Sequence, residues 1–184
     1  AQHARHHGPR VLQRDRGVGL IMANPSHPLW VASVSDPAIA LTAPGTPERE
    51  AVQAYVKSRT LADLARVKLV EAQQPVLVQI RPLSAKLRAA ALSFPSEPQR
   101  RLVAAQYAAR RVMLAWAFEG AEVTGSAEDL AVEGEVLNDA GINRLMELVG
   151  GEGVEEIGSL ALQRATVHPR ALAPFVLPSL SGGV

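Results

Sequence analysis

Residues 96–120, SEPQRRLVAAQYAARRVMLAWAFEG, are the longest stretch of the chain with a clear helix start, period and stop. Ser96 has the short side-chain oxygen of an N-cap, Pro98 suits the first turn, and Gln99 completes a capping box. Apolar residues then recur at helical spacing, and Gly120 is suited to the exit from a helix. The stretch therefore predicts one long helix of about 30 Å, at about 1.5 Å per residue, around which the other elements pack.

Two arginine pairs lie on this predicted helix, and Trp116 follows them near its end. They could form a basic stripe for phosphate or an acidic partner, or a solvated face whose stems cover apolar neighbours. The solvated face is the commoner arrangement, and we favour it for the arginines. The candidate partner-binding residues are Arg100, Arg101, Arg110, Arg111, Trp116 and Phe175.

The composition is that of a folded domain, with 184 residues, 47% hydrophobic residues and a net charge of +1. No apolar run approaches the roughly 20 residues that cross a bilayer, and no signal peptide is recognisable. The chain has no cysteine, which excludes disulfides, thiol nucleophiles and cysteine zinc sites. We therefore expect a cytoplasmic protein that does not enter a membrane.

The charges are divided along the chain. Residues 49–111 contain twelve Lys or Arg and four acids, whereas residues 119–156 contain one Arg and eleven acids. The two segments could pair with each other, or they could present two oppositely charged surfaces to partners. We favour the intramolecular pairing slightly.

Upstream of residue 96 the sequence predicts a small β element. A strand is expected over 29–34, with a second segment at 38–42, and a third strand over 75–82 is bounded by prolines that favour an edge position or a short sheet. Helices are predicted to begin at Pro47 and after Ser84.

The predicted fold class is α+β but mostly α, with a small N-terminal β element followed by an α-helical bundle built on the long central helix. A single α-rich domain is expected over 22–167, including an acidic mobile loop at 121–136 and a helical hairpin over 138–165. The Pro-rich tail 168–184 is predicted to be extended, with Phe175 and its apolar neighbours as anchors for a groove.

Residues 1–21 differ from the rest in carrying His3, His6 and His7 among arginines, with little apolar periodicity. We predict a disordered or non-native extension that precedes a better-patterned sequence beginning at Met22. Three histidines without ordered acidic neighbours do not predict a native metal site.

No catalytic or cofactor motif is recognisable. Gly151, Gly153 and Gly158 do not match a dinucleotide fingerprint, because the third glycine is misplaced and no strand precedes them. No Ser, His and Asp grouping has the local context of a triad. The sequence therefore predicts a protein that is not an enzyme and needs no cofactor or metal.

Nucleic-acid binding is a competing interpretation, because several basic residues come from elements expected to be neighbours. They are Arg81, Lys86, Arg88, Arg100, Arg101, Arg110 and Arg111. Aromatic residues make up only 4% of the chain, so stacking platforms for single strands are scarce. We rank this interpretation below protein binding.

Five short segments, taken in order, resemble small proteins of bacteriophage tail modules. They are DPAI at 36–39, YVKSRT at 55–60, the strand 75–82 with Leu83, the alanine-rich stretch ending FEG at 118–120, and LNDAGINRL at 137–145. The chain is most similar to the tail assembly chaperones, over roughly residues 29–167. The resemblance implies a non-enzymatic factor in the host cytoplasm that binds the tape-measure and tail tube proteins. A structural tail or connector protein of the virion is the alternative.

Overall fold

The computed structural model describes residues 28–65, 74–119 and 122–164. In chain order the elements are β1 (Leu29–Ala32), α1 (Pro37–Ala40), α2 (Pro47–Ser58), α3 (Ala62–Ala65), β2 (Leu77–Ile80), α4 (Ala85–Leu92), α5 (Glu97–Ala108), β3 (Ala109–Glu119), β4 (Glu122–Asp129), β5 (Val132–Glu133), β6 (Val136–Leu137) and α6 (Asp139–Arg164). The first four strands form an antiparallel sheet in the order β1-β2-β3-β4, and β5 pairs with β6.

The four-stranded sheet is the centre of the molecule, with an apolar cluster on each face. Successive residues of a strand point to opposite faces, so adjacent positions enter different clusters. The cluster shared with α5 and α6 contains the aligned residues Val31, Val78 and Val112. The cluster shared with α1, α2 and α3 contains the aligned residues Ala32, Leu77 and Met113. The result is three layers, with helices on both sides of an antiparallel sheet.

The predicted long helix is wrong in its second half. Ser96 does cap α5, accepting a hydrogen bond from the Gln99 backbone N–H at 3.4 Å, but the helix ends at Ala108. Ala109 has extended backbone angles, φ −67° and ψ 141°, and begins the 11-residue strand β3. Hydrogen bonding to β2 and β4 on its two sides, and burial of Val112 on one face and Met113 on the other, stabilise the strand over the helix that the alanines favour.

The predicted helical bundle is therefore also wrong. The class is α+β, and a four-stranded antiparallel sheet, not a long helix, forms its core. The acidic mobile loop predicted at 121–136 is also wrong, since this segment contains β4, β5 and the first residue of β6. Gly134, with φ 60°, lies in the turn between β5 and β6, where a left-handed conformation is needed.

The smaller elements are in part as predicted. The strand expected over 29–34 is confirmed as the edge strand β1, and helices begin at Pro47 and after Ser84. The segment 38–42 is not a strand, because Asp36 caps α1 by accepting a hydrogen bond from Ala38 N at 2.9 Å. The strand expected over 75–82 is β2, which is interior rather than at an edge; its flanking prolines lie outside the hydrogen-bonded residues.

The last helix, α6, is interrupted once. Gly150 has φ 71° and ψ 170°, so it leaves helical geometry and separates two helical parts. The helical hairpin predicted over 138–165 also requires two helical parts here. Gly158, in the second part, lies against the Arg101 backbone carbonyl of α5 and leaves no room for a Cβ. The absence of a side chain is therefore required for the close packing of α5 and α6.

Three predictions fall outside the described residues: the extension 1–21 with its histidines, the tail 168–184, and Phe175 within it. In the part of the chain that the structure describes, no helix is both long and apolar enough to span a bilayer.

Candidate partner-binding groove

A groove lies beside α1 and α2, on the face of the molecule that carries the second apolar cluster. It has a volume of about 630 Å³. We call it the α1–α2 groove, and it is lined by Val34, Ala40, Arg49, Val52, Gln53, Val56 and Lys57.

The groove is apolar at its base because α2 presents two valines one helical turn apart. Val52 is 4% exposed and packs in the cluster under the sheet, whereas Val56 is 42% exposed. Leu41, which follows the lining residue Ala40, is 76% exposed. Apolar side chains thus continue from the core to the surface through the groove, as in a site that binds an apolar group.

Two cations, Arg49 and Lys57, contribute to the lining of the groove. Arg49 Nη1 donates to Thr42 Oγ1 at 3.3 Å, which holds the guanidinium beside the end of α1. Within residues 28–65, 74–119 and 122–164, no ion pair involves either cation. The groove therefore combines an apolar base with a positive charge that no carboxylate neutralises by direct contact.

The walls of the groove are fixed by a polar network at the end of β1. Glu156 of α6 accepts hydrogen bonds from Val34 N at 2.8 Å and from Ser33 Oγ at 2.7 Å. Its other oxygen pairs with Arg59 Nη1 at 2.6 Å, and Arg59 is the C-cap of α2 with φ 55°. One carboxylate thereby connects α6 with α2 and with the groove residue Val34, so the groove is preorganised.

Tyr55 fixes α2 to the sheet. Its hydroxyl accepts from Ala32 N at 2.8 Å and donates to Ala32 O at 2.7 Å. Burial raises the pKa of the Tyr55 phenol, against the lowering effects of the Ala32 hydrogen bond and of Arg59. The phenol therefore stays protonated as the donor that this geometry needs.

Two of the predicted partner-binding arginines make ion pairs within the molecule. Arg111 Nε lies 2.7 Å from Asp129 Oδ1 on the neighbouring strand, and Arg101 pairs with Glu97 and lies 3.8 Å from Glu155. Asp129 and Glu155 belong to the acidic segment, so intramolecular pairing accounts for part of the charge division.

The other two arginines bind backbone carbonyls. Arg100 donates to Phe94 O at 2.6 Å and to Pro95 O at 3.4 Å. Arg110 is partly buried and donates to Tyr107 O at 2.9 Å. Since Arg100 lies on α5 and Arg110 on β3, the four arginines do not form the single helical stripe that a continuous helix would have produced.

Trp116 is a core residue, 7% exposed. Its indole N–H donates to Pro75 O at 2.8 Å, and its ring meets Phe118 edge to face with centroids 5.2 Å apart. The side-chain amide of Gln74 also binds the Trp116 backbone at both N–H and C=O, at 3.1 and 2.7 Å, as a neighbouring strand would.

Arg100 and Arg101 line a second cavity of about 330 Å³ between α5 and the end of α6, with Leu92 and Leu162 as its apolar part. The assignment of the arginines, Trp116 and Phe175 to partner binding stays a prediction.

The α1–α2 groove was not predicted from the sequence, although the helical spacing of two of its lining residues is visible there. In the helix predicted to begin at Pro47, the spacing of Val52 and Val56 puts them one turn apart, and both line the groove. Helical periodicity shows which residues share a face, but not that the neighbouring layer covers Val52 and leaves Val56 open.

The described residues contain no group of three or more His, Asp or Glu side chains arranged to hold a metal ion. Comparisons of the chain with protein-family models, with curated proteins and with solved structures found no significant match.

Proposed function

We propose that this protein is a non-enzymatic binding factor that captures a segment of another protein in the α1–α2 groove. The segment resemblances suggest the biological setting, a tail assembly chaperone of a tailed bacteriophage acting in the host cytoplasm. Its partners would then be the tape-measure and tail tube proteins. The observation that carries the proposal is the apolar base of the groove, formed by the buried Val52 and the exposed Val56, beside the cations Arg49 and Lys57.

The groove favours a partner segment that is amphipathic and acidic. Apolar side chains of a helix at helical spacing can fill the space over Val52 and Val56, which is the usual way in which a groove recognises a helix. Acidic side chains on the flanks of that helix would pair with Arg49 and Lys57. Such pairing speeds association and gives register, and its effect falls as salt is added.

The location of the protein distinguishes an assembly factor from a component of the virion. The chain is co-expressed with the products of neighbouring genes, and complexes are compared with purified particles by mass spectrometry. We expect a complex with the tape-measure or tail tube protein in cell extracts and no copy of the chain in finished particles. A stoichiometric copy number in particles would instead favour a structural tail or connector protein. The absence of any complex in cells would contradict the proposal.

A further inference from the structure

Arg81 and Arg110 direct their guanidinium groups to the same two backbone carbonyls. Arg81 Nε donates to Tyr107 O at 3.1 Å, and Arg110 Nη2 donates to the same oxygen at 2.9 Å. Both arginines also donate through Nη2 to Glu135 O, in the β5–β6 turn. Because they share both acceptors, the two cationic groups lie side by side where β2 ends and β3 begins.

This pair of cations has no carboxylate in direct contact within the described residues. Burial, followed by repulsion from Arg81, lowers the pKa of Arg110 to about 10, while the Glu135 carboxylate acts in the opposite direction. Tyr107 lies in the last turn of α5, so the negative end of the helix dipole offsets part of the charge. The two carbonyl oxygens and the end of the helix dipole carry only partial negative charges, so they do not neutralise both guanidinium groups.

Both guanidinium groups retain unused donors. An arginine has five N–H donors, and in the described part of the chain Arg81 Nη1 and Arg110 Nε have no hydrogen-bond partner. Both side chains belong to residues that are partly, not fully, buried. The pair thus combines two positive charges with N–H groups that remain available for charge-assisted hydrogen bonds.

From this geometry we propose that Arg81 and Arg110 form a binding site for one doubly charged oxyanion of the phosphate class. A phosphate dianion matches both positive charges and can accept hydrogen bonds from both forks, whereas a carboxylate supplies one charge only. The ligand is either inorganic phosphate or a small phosphate monoester. This site is distinct from the α1–α2 groove, and it does not depend on the function proposed for the groove.

The probe is inorganic phosphate, titrated into the ¹⁵N-labelled full chain at constant ionic strength while the arginine Nε–Hε signals are followed. We expect saturable shifts of the Arg81 and Arg110 signals, and a dissociation constant at least tenfold weaker in Arg81→Gln and in Arg110→Gln. Arg144→Gln is the matched control, because Arg144 is an arginine whose guanidinium is paired with the Glu128 carboxylate. Its affinity for phosphate should equal that of the wild type.

The Glu135→Gln substitution should change the affinity for phosphate in the opposite direction. It removes a nearby negative charge that would repel phosphate and keeps the backbone carbonyl, so phosphate should bind several-fold more tightly. If circular dichroism shows that the Arg→Gln variants do not fold, this variant decides: tighter binding supports the site, and unchanged or weaker binding overturns it. Shifts that do not saturate, or an unchanged affinity in folded Arg81→Gln, also overturn it. Adenosine monophosphate identifies the source, since tighter binding than phosphate indicates an ester and equal or weaker binding indicates free phosphate.

Discussion

The Tyr55 hydroxyl occupies the position that a further strand would take beside Ala32. It bonds to both the N–H and the C=O of that residue, at 2.8 and 2.7 Å. Since β1 is an edge strand, one of its sides has no strand partner among residues 28–65, 74–119 and 122–164. A single side chain of α2 thus satisfies two buried backbone groups and fixes the helix whose valines form the base of the α1–α2 groove.

Replacement of Tyr55 by Phe should lower the free energy of unfolding by about 2 kcal/mol, because it leaves two backbone groups of the fully buried Ala32 without partners. Urea denaturation followed by circular dichroism measures the change. Tyr107→Phe is the control, since the Tyr107 hydroxyl makes no hydrogen bond within the described residues, and it should change stability by less than about 0.5 kcal/mol. Equal effects of the two substitutions would contradict this role.

The same phenol predicts a loss of stability in alkali. Its pKa in the folded protein is raised above 10.0, mainly by burial, so the unfolded chain loses this proton first. The contribution of Tyr55 is complete below pH 10 and is lost as the pH rises through the higher folded-state pKa. The stability difference between wild type and Tyr55→Phe should therefore shrink as the pH rises above 10. A difference that is constant between pH 8 and pH 11 would be inconsistent with this.

Two glycines of α6 should respond oppositely to alanine. A Cβ at Gly158 would overlap the Arg101 carbonyl of α5, whereas a Cβ at Gly151 would meet nothing within 4 Å. Gly158→Ala should cost about 3 kcal/mol by forcing the two helices apart. Gly151→Ala should be neutral or stabilise by up to about 1 kcal/mol through helix propensity. Thermal unfolding compares them, and a well-tolerated Gly158→Ala would show that α5 and α6 are not packed this closely.

The adjacent residues Arg110 and Arg111 should differ under charge reversal. Arg110→Glu places a carboxylate against the Tyr107 and Glu135 carbonyls and should destabilise by about 2 kcal/mol. Arg111 pairs with Asp129 on an exposed part of the sheet, so Arg111→Glu should cost less than about 1 kcal/mol. Chemical denaturation of the two variants tests the difference. Similar losses would indicate that both arginines are internal anchors.

The helix N-caps could be predicted from the sequence, but the end of α5 could not. Ser96 and Ser84 cap the helices they were expected to cap, because an N-cap is a property of a few consecutive residues. The change from helix to strand at Ala109 depends on β2 and β4, which are distant in sequence. Alanine and arginine favour a helix, and only the pairing of Val112 and its neighbours on both sides outweighs that preference.

The exposure of the groove residues and the partners of the arginines likewise depend on contacts between elements that are distant in sequence. That Val52 and Val56 share a face followed from their spacing, whereas the exposure of Val56 depends on how α1 and the sheet cover α2. The placement of Arg101 and Arg111 beside Glu155 and Asp129 agrees with the intramolecular pairing favoured from the charge division. Which acid each arginine contacts required the three-dimensional register of β3 with β4 and of α5 with α6.

We propose that the α1–α2 groove captures a segment of another protein, and a single substitution in the groove tests this binding. Val56→Asp places a charge in the groove at a side chain that is 42% exposed, so folding should be little affected. Val132→Asp is the matched control, because Val132 is 46% exposed and lies outside the groove, on β5.

The measurement is the dissociation constant of each variant for the proposed partner, a purified tape-measure protein. We predict at least tenfold weaker binding for Val56→Asp and wild-type binding for Val132→Asp. Equal binding by the wild type and both variants, or no binding by the wild type, would contradict partner binding in the α1–α2 groove.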